Sequence, residues 1–393
     1  MEHSQASAPS AMTVLIMGGG IGGLATALAC QLNGIRCFVF ERTQQLRDVG
    51  ASLILAGNAV KALNKLGFAD VLRTSAAPLR FSSLRSWHGG VLVELPMQEI
   101  ERRFGVTAVA IHRAELQAAL VQALEPGTLR TNMQGIGFEQ DGEGVCVRFA
   151  SGDSLRGDAL VGADGLYSAV RSQLVGATKP HYAGYVAWRG VTPFSMDERE
   201  EQTTFETWGA GKRFGFIPLT RGRVSWFAVA NAPEGAREGN AEQEKRRVLD
   251  LVANCHAPAH AVVEATEASA IICTDIYDRP VLTAWSQGRI TLVGDAAHPM
   301  TPNLGQGACQ AIEDAYFLAE SLRSAPTITS ALQRYEAQRI NRANAIVQRS
   351  WQQGWIAQAE HPLAVRARDT LVRLAPQRIF LKQMQWLVDN SIS

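Results

Sequence analysis

Apolar residues near the start of the chain form two short runs with a helical repeat between them. Thr13–Met17 and Cys37–Phe40 are runs of apolar and β-branched residues, which predict buried strands. Between them, Gly22–Leu32 places a leucine at every fourth position, and Gly34 follows where a helix would stop. The pattern predicts a strand, a glycine-rich turn, a helix and a second strand, which together make a βαβ unit.

Similar patterns predict the rest of an α/β frame. Further strands are predicted at Val145–Phe149, Ala159–Val161 and Arg289–Val293, and further helices at Arg113–Leu124, Gly307–Leu322 and Ile328–Gln348. The remainder of the chain is helical in pattern as far as Ser393, with breaks at Pro362 and Pro376.

The pattern changes between about residues 182 and 274. Thr203–Trp208, Phe214–Pro218 and Val224–Ala230 are apolar or weakly alternating runs, and turns that contain glycine separate them. Short runs with such turns between them favour antiparallel strands. We therefore predict a mostly antiparallel sheet inserted into the α/β frame.

Length and composition limit the class of protein. The chain has 393 residues, of which 46% are hydrophobic and 19% charged, so a soluble globular protein of two domains is expected. The formal net charge of +1 provides no overall attraction to nucleic acid or to an anionic membrane. The six cysteines form no CxxC pair, which argues against a disulfide framework or a metal site and favours a reducing compartment.

The sequence indicates no targeting or membrane segment. Residues 1–12 are polar and rich in Ser and Ala, and we expect a disordered tail rather than a signal peptide. No stretch approaches the ~18 uninterrupted apolar residues that a membrane-spanning helix needs. The expected location is the cytoplasm.

The turn after the first strand carries the pattern GxGxxG. Gly18, Gly20 and Gly23 occupy its glycine positions, and Ile21 and Gly22 lie at the start of the predicted helix. In such a turn the first glycine permits a tight bend, the second lets the backbone approach phosphates, and the third lets helix and strand pack closely. The helix N-terminus offers free N–H groups to a pyrophosphate. We predict a dinucleotide site here.

Glu41 stands at the end of the second strand, about 20 residues after the glycines, where an acid accepts hydrogen bonds from an adenosine ribose. The alternative is a solvated glutamate at a strand end. Arg42 beside it would lie over the adenine or meet a phosphate, and in an NADP site it would hold the 2′-phosphate. These residues predict a dinucleotide without choosing between FAD and NADP.

Two later stretches favour one cofactor. Residues 160–171 read Leu-Val-Gly-Ala-Asp-Gly-Leu-Tyr-Ser-Ala-Val-Arg, and residues 294–309 contain Gly-Asp-Ala-Ala-His-Pro and Gly-Gln-Gly-Ala-Cys. With the glycine turn, these motifs resemble the class A flavoprotein monooxygenases, a family that includes salicylate- and hydroxynicotinate-type aromatic hydroxylases. The resemblance runs from Thr13 to about Arg342 and keeps the motifs in the order of that family.

The resemblance implies a role for each matching residue. The ADP half of FAD would be held by Gly18, Gly20, Gly23 and Glu41, the ribityl chain by Asp295 and the flavin side by Arg113; Asp164 would contact FAD and NAD(P)H, and the isoalloxazine ring would lie along Gly305, Gln306, Gly307 and Ala308. Structural alternatives apply to three of these residues. Asp295 and Asp164 would serve as helix caps, and Arg113 would be a solvated residue of an amphipathic helix.

The resemblance also implies the chemistry. NADH or NADPH would reduce FAD transiently, reduced flavin would take up O₂ as a hydroperoxide, and one oxygen atom would pass to an aromatic or heteroaromatic substrate. No second GxGxxG follows a strand, so the nicotinamide nucleotide would have no domain of its own. Epoxidation is an alternative, because Pro302–Gly307 also resembles carotenoid-epoxidase relatives. A flavin reductase or dehydrogenase without oxygenation is another, and an FAD-binding protein without turnover is a third.

The substrate side has its own motif. Residues 182–190 and Gly211–Arg213 resemble the branch that contains FAD-dependent urate hydroxylase, in which an arginine matching Arg213 contacts the substrate. The alternative for Arg213 is a charge at the pocket rim. Asn303 replaces an aspartate of that branch and Ser225 replaces a tyrosine, so a different aromatic or heteroaromatic substrate is favoured. Arg213 and Asn303 are the candidate pocket residues.

These patterns predict an α/β protein with a Rossmann-like FAD-binding domain and an inserted, mostly antiparallel substrate domain. The FAD-binding domain would comprise residues 13–75, 101–180 and 275–340, the substrate domain residues 76–100 and 181–274, and the C-terminal helices residues 341–393. The last helix has an apolar face formed by Phe380, Met384, Leu387 and Val388. That face would pack on the FAD-binding domain or across a dimer, with attachment to a membrane surface as the alternative. A monomer or homodimer is expected.

Overall fold

A computed structural model describes residues 12–46, 51–95, 97–236, 239–389 and 392 of the chain. The predicted tail, residues 1–12, lies outside this part except for Met12. The fold class is α/β, as predicted. Within the described ranges, no helix is both long and apolar enough to cross a membrane.

Most of the helices and strands that were predicted with bounds begin and end within a few residues of those positions, and α10 continues nine residues beyond its predicted end at Gln348. The strands are β1 Thr13–Met17, β2 Arg36–Phe40, β3 Ser52–Leu55, β4 Ala77–Pro78, β5 Phe81–Ser86, β6 Val91–Leu95, β7 Val109–His112, β8 Leu129–Arg130, β9 Gly135–Gln140, β10 Val145–Phe149, β11 Ser154–Gly157, β12 Ala159–Gly162, β13 His181–Pro193, β14 Thr203–Trp208, β15 Lys212–Leu219, β16 Arg223–Asn231, β17 Ile272–Asp278 and β18 Ile290–Leu292. The α-helices are α1 Ile21–Leu32, α2 Gly57–Lys65, α3 Ala69–Ser75, α4 Met97–Phe104, α5 Arg113–Ala123, α6 Ala169–Val175, α7 Ala241–Val252, α8 Ala259–Ala265, α9 Gly307–Ser324, α10 Ile328–Ala357, α11 Pro362–Leu374 and α12 Gln377–Val388.

A parallel sheet carries the glycine turn. Its described strands follow the order β18-β12-β1-β2-β8, and every neighbouring pair is parallel. β12 and β18 are buried along their whole length, as expected for a parallel sheet that is covered on both faces. Since parallel strands end at the same edge, the segments that follow β1, β2, β12 and β18 meet there.

The predicted insertion is a larger sheet. Its described strands follow the order β17-β13-β16-β15-β14-β5-β6, and all neighbours are antiparallel except β14 and β5. One face carries Trp188, Phe214 and Trp226, which pack with apolar residues of α7 and α8. On the other face, Ile217 and Leu219 pack with Ala110 of β7. This second face therefore lies toward the part of the chain that contains the parallel sheet.

The C-terminal helices pack on the rest of the chain. α10 is continuous from Ile328 to Ala357, so the domain boundary proposed between residues 340 and 341 falls inside a helix. α11 begins at Pro362 and α12 directly follows Pro376, because proline is tolerated at a helix start and not in its interior. Val388 of α12 is buried against Gly57 of α2, which is the intramolecular packing expected as one alternative for the last helix.

Candidate functional site

Four candidate residues follow directly from strands of the parallel sheet. Gly18 follows β1, Glu41 follows β2, Asp164 lies two residues after β12, and Asp295 lies in a single 3₁₀ turn, Gly294–Ala296, after β18. The carboxyl edge of such a sheet is where α/β proteins bind ligands. The fold thus brings together residues that are separated by most of the chain.

The glycines of the turn meet different surroundings. Gly18 has φ +110°, and a Cβ there would lie 2.3 Å from the carbonyl oxygen of Ala163. A Cβ on Gly23 would lie 1.9 Å from the carbonyl oxygen of Gly18. Around Gly20, by contrast, no described atom lies within 4 Å of the Cβ position. Gly18 and Gly23 therefore lie in close contact with neighbouring backbone, whereas Gly20 borders open space.

The start of α1 is open toward that space. Gly20 is the N-cap residue and, having no side chain, leaves the first N–H groups of the helix uncapped. Ile21 points into the core, and Gly22 lies against Ala311 of α9. The uncapped N–H groups and the positive end of the helix dipole suit a phosphate.

Glu41 already has donors within the protein. One carboxylate oxygen accepts from the backbone N–H of Gly19 at 2.9 Å, and the other accepts from the N–H and the hydroxyl of Thr43 at 2.9 and 3.0 Å. A carboxylate accepts about four hydrogen bonds, so Glu41 retains acceptor capacity for a ribose. Arg42 is exposed.

Asp164 caps a helix with one oxygen and keeps the other unpaired. Its Oδ2 accepts from the N–H groups of Ala169 and Val170, at 2.8 and 3.2 Å, at the start of α6. Its Oδ1 is buried and has no hydrogen-bond partner among the described residues. Burial raises the pKa of this carboxyl group above its ordinary value, against the opposing hydrogen bonds. The capping alternative accounts for one oxygen and leaves the second available to a ligand.

Asp295 stands opposite the start of α9. A Cβ on Gly307 would lie 3.8 Å from Oδ1 of Asp295. The carboxyl group makes no hydrogen bond to any residue that the structure describes, and it is open to solvent on one side. The protein walls around it raise its pKa, while the charges of His298 and Arg113 act in the opposite direction. Arg113, the first residue of α5, is half-buried and electrostatically coupled to Asp295.

In the segment before α9, the side chain of Gln306 is buried, and the backbone leads into a helix that no described side chain caps. Gly305 adopts a left-handed conformation, φ +62°, after the 3₁₀ turn Pro302–Leu304. The side chain of Gln306 is buried, where its Oε1 accepts from Asn58 and Gln310 at 3.0 and 3.1 Å. Gly307 and the half-buried Ala308 begin α9, and no described side chain caps this helix end. Its first N–H groups are therefore uncapped and carry the positive end of the helix dipole.

A buried charge network lies beneath this segment, and sequence reasoning missed it. Arg339 of α10 donates to Asp314 at 2.9 Å and also pairs with Glu313, both in α9. Asp314 accepts from the N–H of Gly294 at 2.9 Å and contacts His298 at 2.6 Å. Burial alone would raise the pKa of Asp314, but the charges of His298 and Arg339 outweigh it and hold the pKa at about 2. Adjacent acids within an apolar stretch, Ala311 to Leu318, were the available signal.

Arg213 and Asn303, the two candidate pocket residues, lie side by side. Arg213 is 3% exposed, so it is not a rim charge. It donates to Asn303 at 2.7 Å, to Gln358 at 2.9 Å and to Glu206 at 3.2 Å. Asn303 also lies 3.1 Å from the hydroxyl of Tyr185. These contacts join β15, the segment before α9 and the end of α10.

Residues 11–350 match the model of a protein family described as "FAD binding domain". Aurachin C monooxygenase/isomerase of Stigmatella aurantiaca is 40% identical over 92% of this chain and 94% of its own length. The chain belongs to the FAD-dependent monooxygenase family. Its cofactor is FAD, and it is an oxidoreductase.

Two further relatives resemble this monooxygenase over nearly its whole length. The 2-heptyl-3-hydroxy-4(1H)-quinolone synthase of Pseudomonas aeruginosa is 32% identical over 93% of this chain and 94% of its own. The crystal structure of Klebsiella pneumoniae HpxO complexed with FAD and uric acid superposes with a TM-score of 0.90 at 29% identity, covering 97% of this chain and 98% of the other. The likeness extends through the inserted sheet and the C-terminal helices.

Arg189 is a second charged residue on the face of the monooxygenase's inserted sheet that carries Arg213. Arg189 on β13 pairs with Phe227 on β16, and Arg213 on β15 pairs with Val229 on β16. Phe227 and Val229 are two positions apart on one strand, so both arginines lie on the same face of the sheet. Arg189 donates to the hydroxyl of Thr274 at 2.9 Å, and it has no carboxylate partner among the described residues. Burial lowers its pKa. The sequence motif around Trp188 contained this arginine, but nothing local distinguished it.

A large groove opens beside Asn303. We call it the C-terminal groove; it has a volume of about 970 Å³ and is lined by residues of β13, the segment before α9, and the helices α10, α11 and α12, including Tyr185, Asn303, Trp351, Leu371, Val372 and Phe380. Most of its wall is apolar. Sequence reasoning did not foresee this groove, because its walls come from segments that are far apart in the chain.

Metal and disulfide chemistry have no candidate in the described part of the monooxygenase. There, no group of His, Cys, Asp and Glu side chains is arranged to hold a metal ion. All six cysteines lie in the described ranges and are free thiols.

Proposed function

We propose that this monooxygenase uses NADH or NADPH and O₂ to hydroxylate an aromatic or heteroaromatic small molecule. In the balanced reaction, the reduced nicotinamide gives two electrons, one oxygen atom of O₂ replaces a ring hydrogen as a hydroxyl group, and the other leaves as water. The observation that carries the proposal is the convergence of the glycine turn, Asp164, Asp295 and the open start of α9 at one sheet edge.

The residues at that edge fit FAD. We assign the pyrophosphate to Gly18, Gly20, Ile21, Gly22 and Gly23, because the space beside Gly20 is open and the start of α1 is uncapped. Glu41 and Arg42 would receive the adenosine end, and the free carboxylate of Asp295 would receive the ribityl hydroxyl groups.

The flavin ring has its own set of residues. Gly305, Gln306, Gly307 and Ala308 would present backbone to the ring, because the side chain of Gln306 is held in the interior. Arg113 and the unpaired Oδ1 of Asp164 are the remaining polar groups at this edge. FAD, when bound, supplies the electron transfer from nicotinamide and the activation of O₂.

The protein's own part is to place the ring and to hold the site closed to water. The positive end of α9 favours a negative charge at the ring. The buried pair of Arg339 and Asp314 fixes Gly294 and thereby the loop that carries Asp295. Exclusion of water limits loss of the activated oxygen as peroxide.

The substrate would lie against the inserted sheet, in the proposed substrate domain of residues 76–100 and 181–274. Arg213 donates hydrogen bonds to Asn303, Gln358 and Glu206. Because its N–H groups are engaged within the protein, these bonds support a role in positioning Asn303 at the pocket wall. The names of the relatives support a ring substrate, since they include uric acid and a quinolone. The substitutions at Asn303 and Ser225 support a ring other than urate.

The decisive experiment is product analysis under ¹⁸O₂. The FAD-loaded protein with NADH or NADPH is given a panel of ring compounds that includes uric acid, 3-amino-4-hydroxybenzoate and 2-heptyl-4(1H)-quinolone. We expect one product that is heavier by a single ¹⁸O atom, measured by mass spectrometry. Heat-inactivated protein is the control.

Two other outcomes of this experiment would contradict the proposed hydroxylation. If reduced nicotinamide is consumed and every equivalent of O₂ appears as peroxide with each compound, the protein is a flavin reductase rather than a hydroxylase. An ¹⁸O-labelled epoxide instead of a phenol would support the epoxidase alternative.

A further inference from the structure

We propose that the substrate carries a linear hydrocarbon chain, which lies in the C-terminal groove while the ring lies on the flavin side of Asn303. This inference rests on the proposed hydroxylation, and it names the class of substrate for the same site.

The groove borders Asn303, a candidate pocket residue, and is larger than a ring needs. Tyr185 and Asn303 both line it and are hydrogen-bonded to each other, and Oδ1 of Asn303 also accepts from Arg213. Its volume of about 970 Å³ is near the upper end of the range for small-molecule sites. A bicyclic ring held beside the flavin would leave this volume empty.

The wall of the groove suits hydrocarbon rather than polar groups. Away from Asn303, its sides come from Trp351, Leu371, Val372 and Phe380. Leu371 is 70% exposed and Trp355 at the rim is 80% exposed, so these large apolar side chains lack protein neighbours over much of their surface. Apolar surface of this kind marks a binding site more often than an ordinary exterior.

Three polar side chains in the groove, Asn231, Gln358 and Glu360, are already paired with one another. Arg368 also lines the groove and donates to the carbonyl oxygens of Gly209 and Ala357 at 3.2 and 2.9 Å. Gln358 donates to Asn231 at 2.6 Å, and Asn231 donates to Glu360 at 2.6 Å. The Oε1 of Gln358 accepts from Arg213 at 2.9 Å. A polar ligand would have to break these bonds, whereas a hydrocarbon chain would cover the apolar wall and leave them in place.

Small residues keep the groove open. Gly354, Ala364, Ala367 and Ala375 line it along α10, α11 and the turn before α12. Larger side chains on α11 would fill the space between this helix and Trp351. The C-terminal groove therefore depends on small side chains at a few positions, and a single larger side chain should close it.

The test measures binding without turnover. The FAD-loaded protein, without nicotinamide, is titrated by calorimetry with two series of compounds, 2-alkyl-4(1H)-quinolones and 4-alkylphenols, with linear chains of one, three, five and seven carbons. We expect Kd to fall roughly two- to fourfold for each added methylene in at least one series, because burying a methylene stabilises the complex. The same Kd at every chain length in both series, or no binding by either series, would overturn the inference.

Three variants locate the chain. Ala367→Phe places a ring in the groove and should abolish the dependence on chain length while leaving the Kd of the one-carbon compound unchanged. Leu371→Ser, at a position that is 70% exposed, should weaken the dependence. Ala337→Phe, on an exposed face of α10 outside the groove, is the matched control and should behave like the wild type. If Kd in Ala367→Phe still falls with each added methylene as in the wild type, the hydrocarbon chain of the ligand binds elsewhere.

The two proposals fail in different ways. Chain-dependent binding without any ¹⁸O-labelled product would remove the hydroxylation and leave the groove assignment in place. Labelled product with no effect of chain length on Kd would remove the groove assignment alone.

Discussion

At the residue scale, similar residues do different work because their immediate neighbours differ. Gly20 and Gly23 belong to one motif, yet one faces open space and the other touches a carbonyl oxygen. Asp295 and Asp314 are both acids near His298, yet one has no described hydrogen bond and the other accepts several. These differences lead to separate predictions for cofactor affinity and for stability.

The two glycines should separate these properties. Gly23→Ala should lower the free energy of unfolding by about 1–3 kcal/mol, because its Cβ would overlap the carbonyl oxygen of Gly18. Gly20→Ala should leave the stability of the FAD-free protein unchanged and raise the Kd for FAD at least about tenfold, about 1.4 kcal/mol. Urea denaturation and flavin fluorescence titration measure the two effects. Equal effects of both substitutions on stability would contradict the assignment.

Removal of the Asp295 carboxylate should weaken FAD binding without weakening the fold. Because this group makes no hydrogen bond to the described residues, Asp295→Ala should leave the melting temperature of the FAD-free protein nearly unchanged. The loss of a charged hydrogen-bond acceptor predicts a Kd for FAD raised roughly 10- to 100-fold. The flavin content after gel filtration reports the change, with the exposed Asp250→Ala as control. Unchanged flavin content would falsify the ribityl role.

At the scale of elements, α9 connects the cofactor edge to the interior. Its first turn, at Gly307, has no side-chain cap. Two turns later, Glu313 and Asp314 are buried and form ion pairs with Arg339 of α10. A buried ion pair need not add net stability, but loss of one partner leaves a charge without compensation. We interpret the network as the means by which α9 and the loop at Gly294 are fixed relative to each other.

The pH dependence of stability should report this network. The pKa of Asp314 is about 2 in the folded protein, below its ordinary 3.8. Because the folded pKa is the lower one, the stabilisation is present above about pH 4 and is lost as the pH falls toward 2; it amounts to about 2 kcal/mol. Urea unfolding between pH 5 and pH 2.5 should therefore show a smaller loss of stability in Asp314→Asn than in the wild type. Asp250→Asn is the control, and parallel curves for Asp314→Asn and the wild type would argue against the assignment.

At the scale of the whole molecule, hydrogen bonds join the inserted sheet, the segment before α9 and the C-terminal helices. Arg213 of β15 bonds to Asn303 before α9 and to Gln358 after α10. The same helices form the wall of the C-terminal groove. The structure thus connects the two candidate pocket residues, Arg213 and Asn303, to the packing of the chain's last third.

These hydrogen bonds predict a structural role for Arg213, which is also a candidate pocket residue. Arg213→Ala should lower the free energy of unfolding by about 3 kcal/mol, because the buried acceptors of Asn303 and Gln358 lose their charged donor. Arg221→Ala, which removes an exposed arginine paired with Glu115, should change it by less than about 0.5 kcal/mol. Urea denaturation followed by tryptophan fluorescence compares the two. Equal, small losses would contradict this structural role for Arg213.

The sequence by itself determined the βαβ unit, the family, the FAD cofactor and the order of the main helices and strands. These depend on short-range patterns: a glycine turn has a fixed spacing, and prolines such as Pro362 and Pro376 act on the helix in which they stand. The inserted sheet was also visible as short apolar runs, although the pairing of β14 with β5 was not, because its partners lie more than one hundred residues apart.

Only the tertiary structure decided what surrounds each side chain. Arg213 and Gln358 are 145 positions apart, and Asn58 and Gln306 are 248 apart, so no local pattern shows that they meet. The burial of Arg213, the spare oxygen of Asp164, the Arg339 network and the C-terminal groove all depend on such meetings. The physical reason is that hydrogen bonding and burial are properties of neighbours in space, and the sequence pattern records neighbours along the chain.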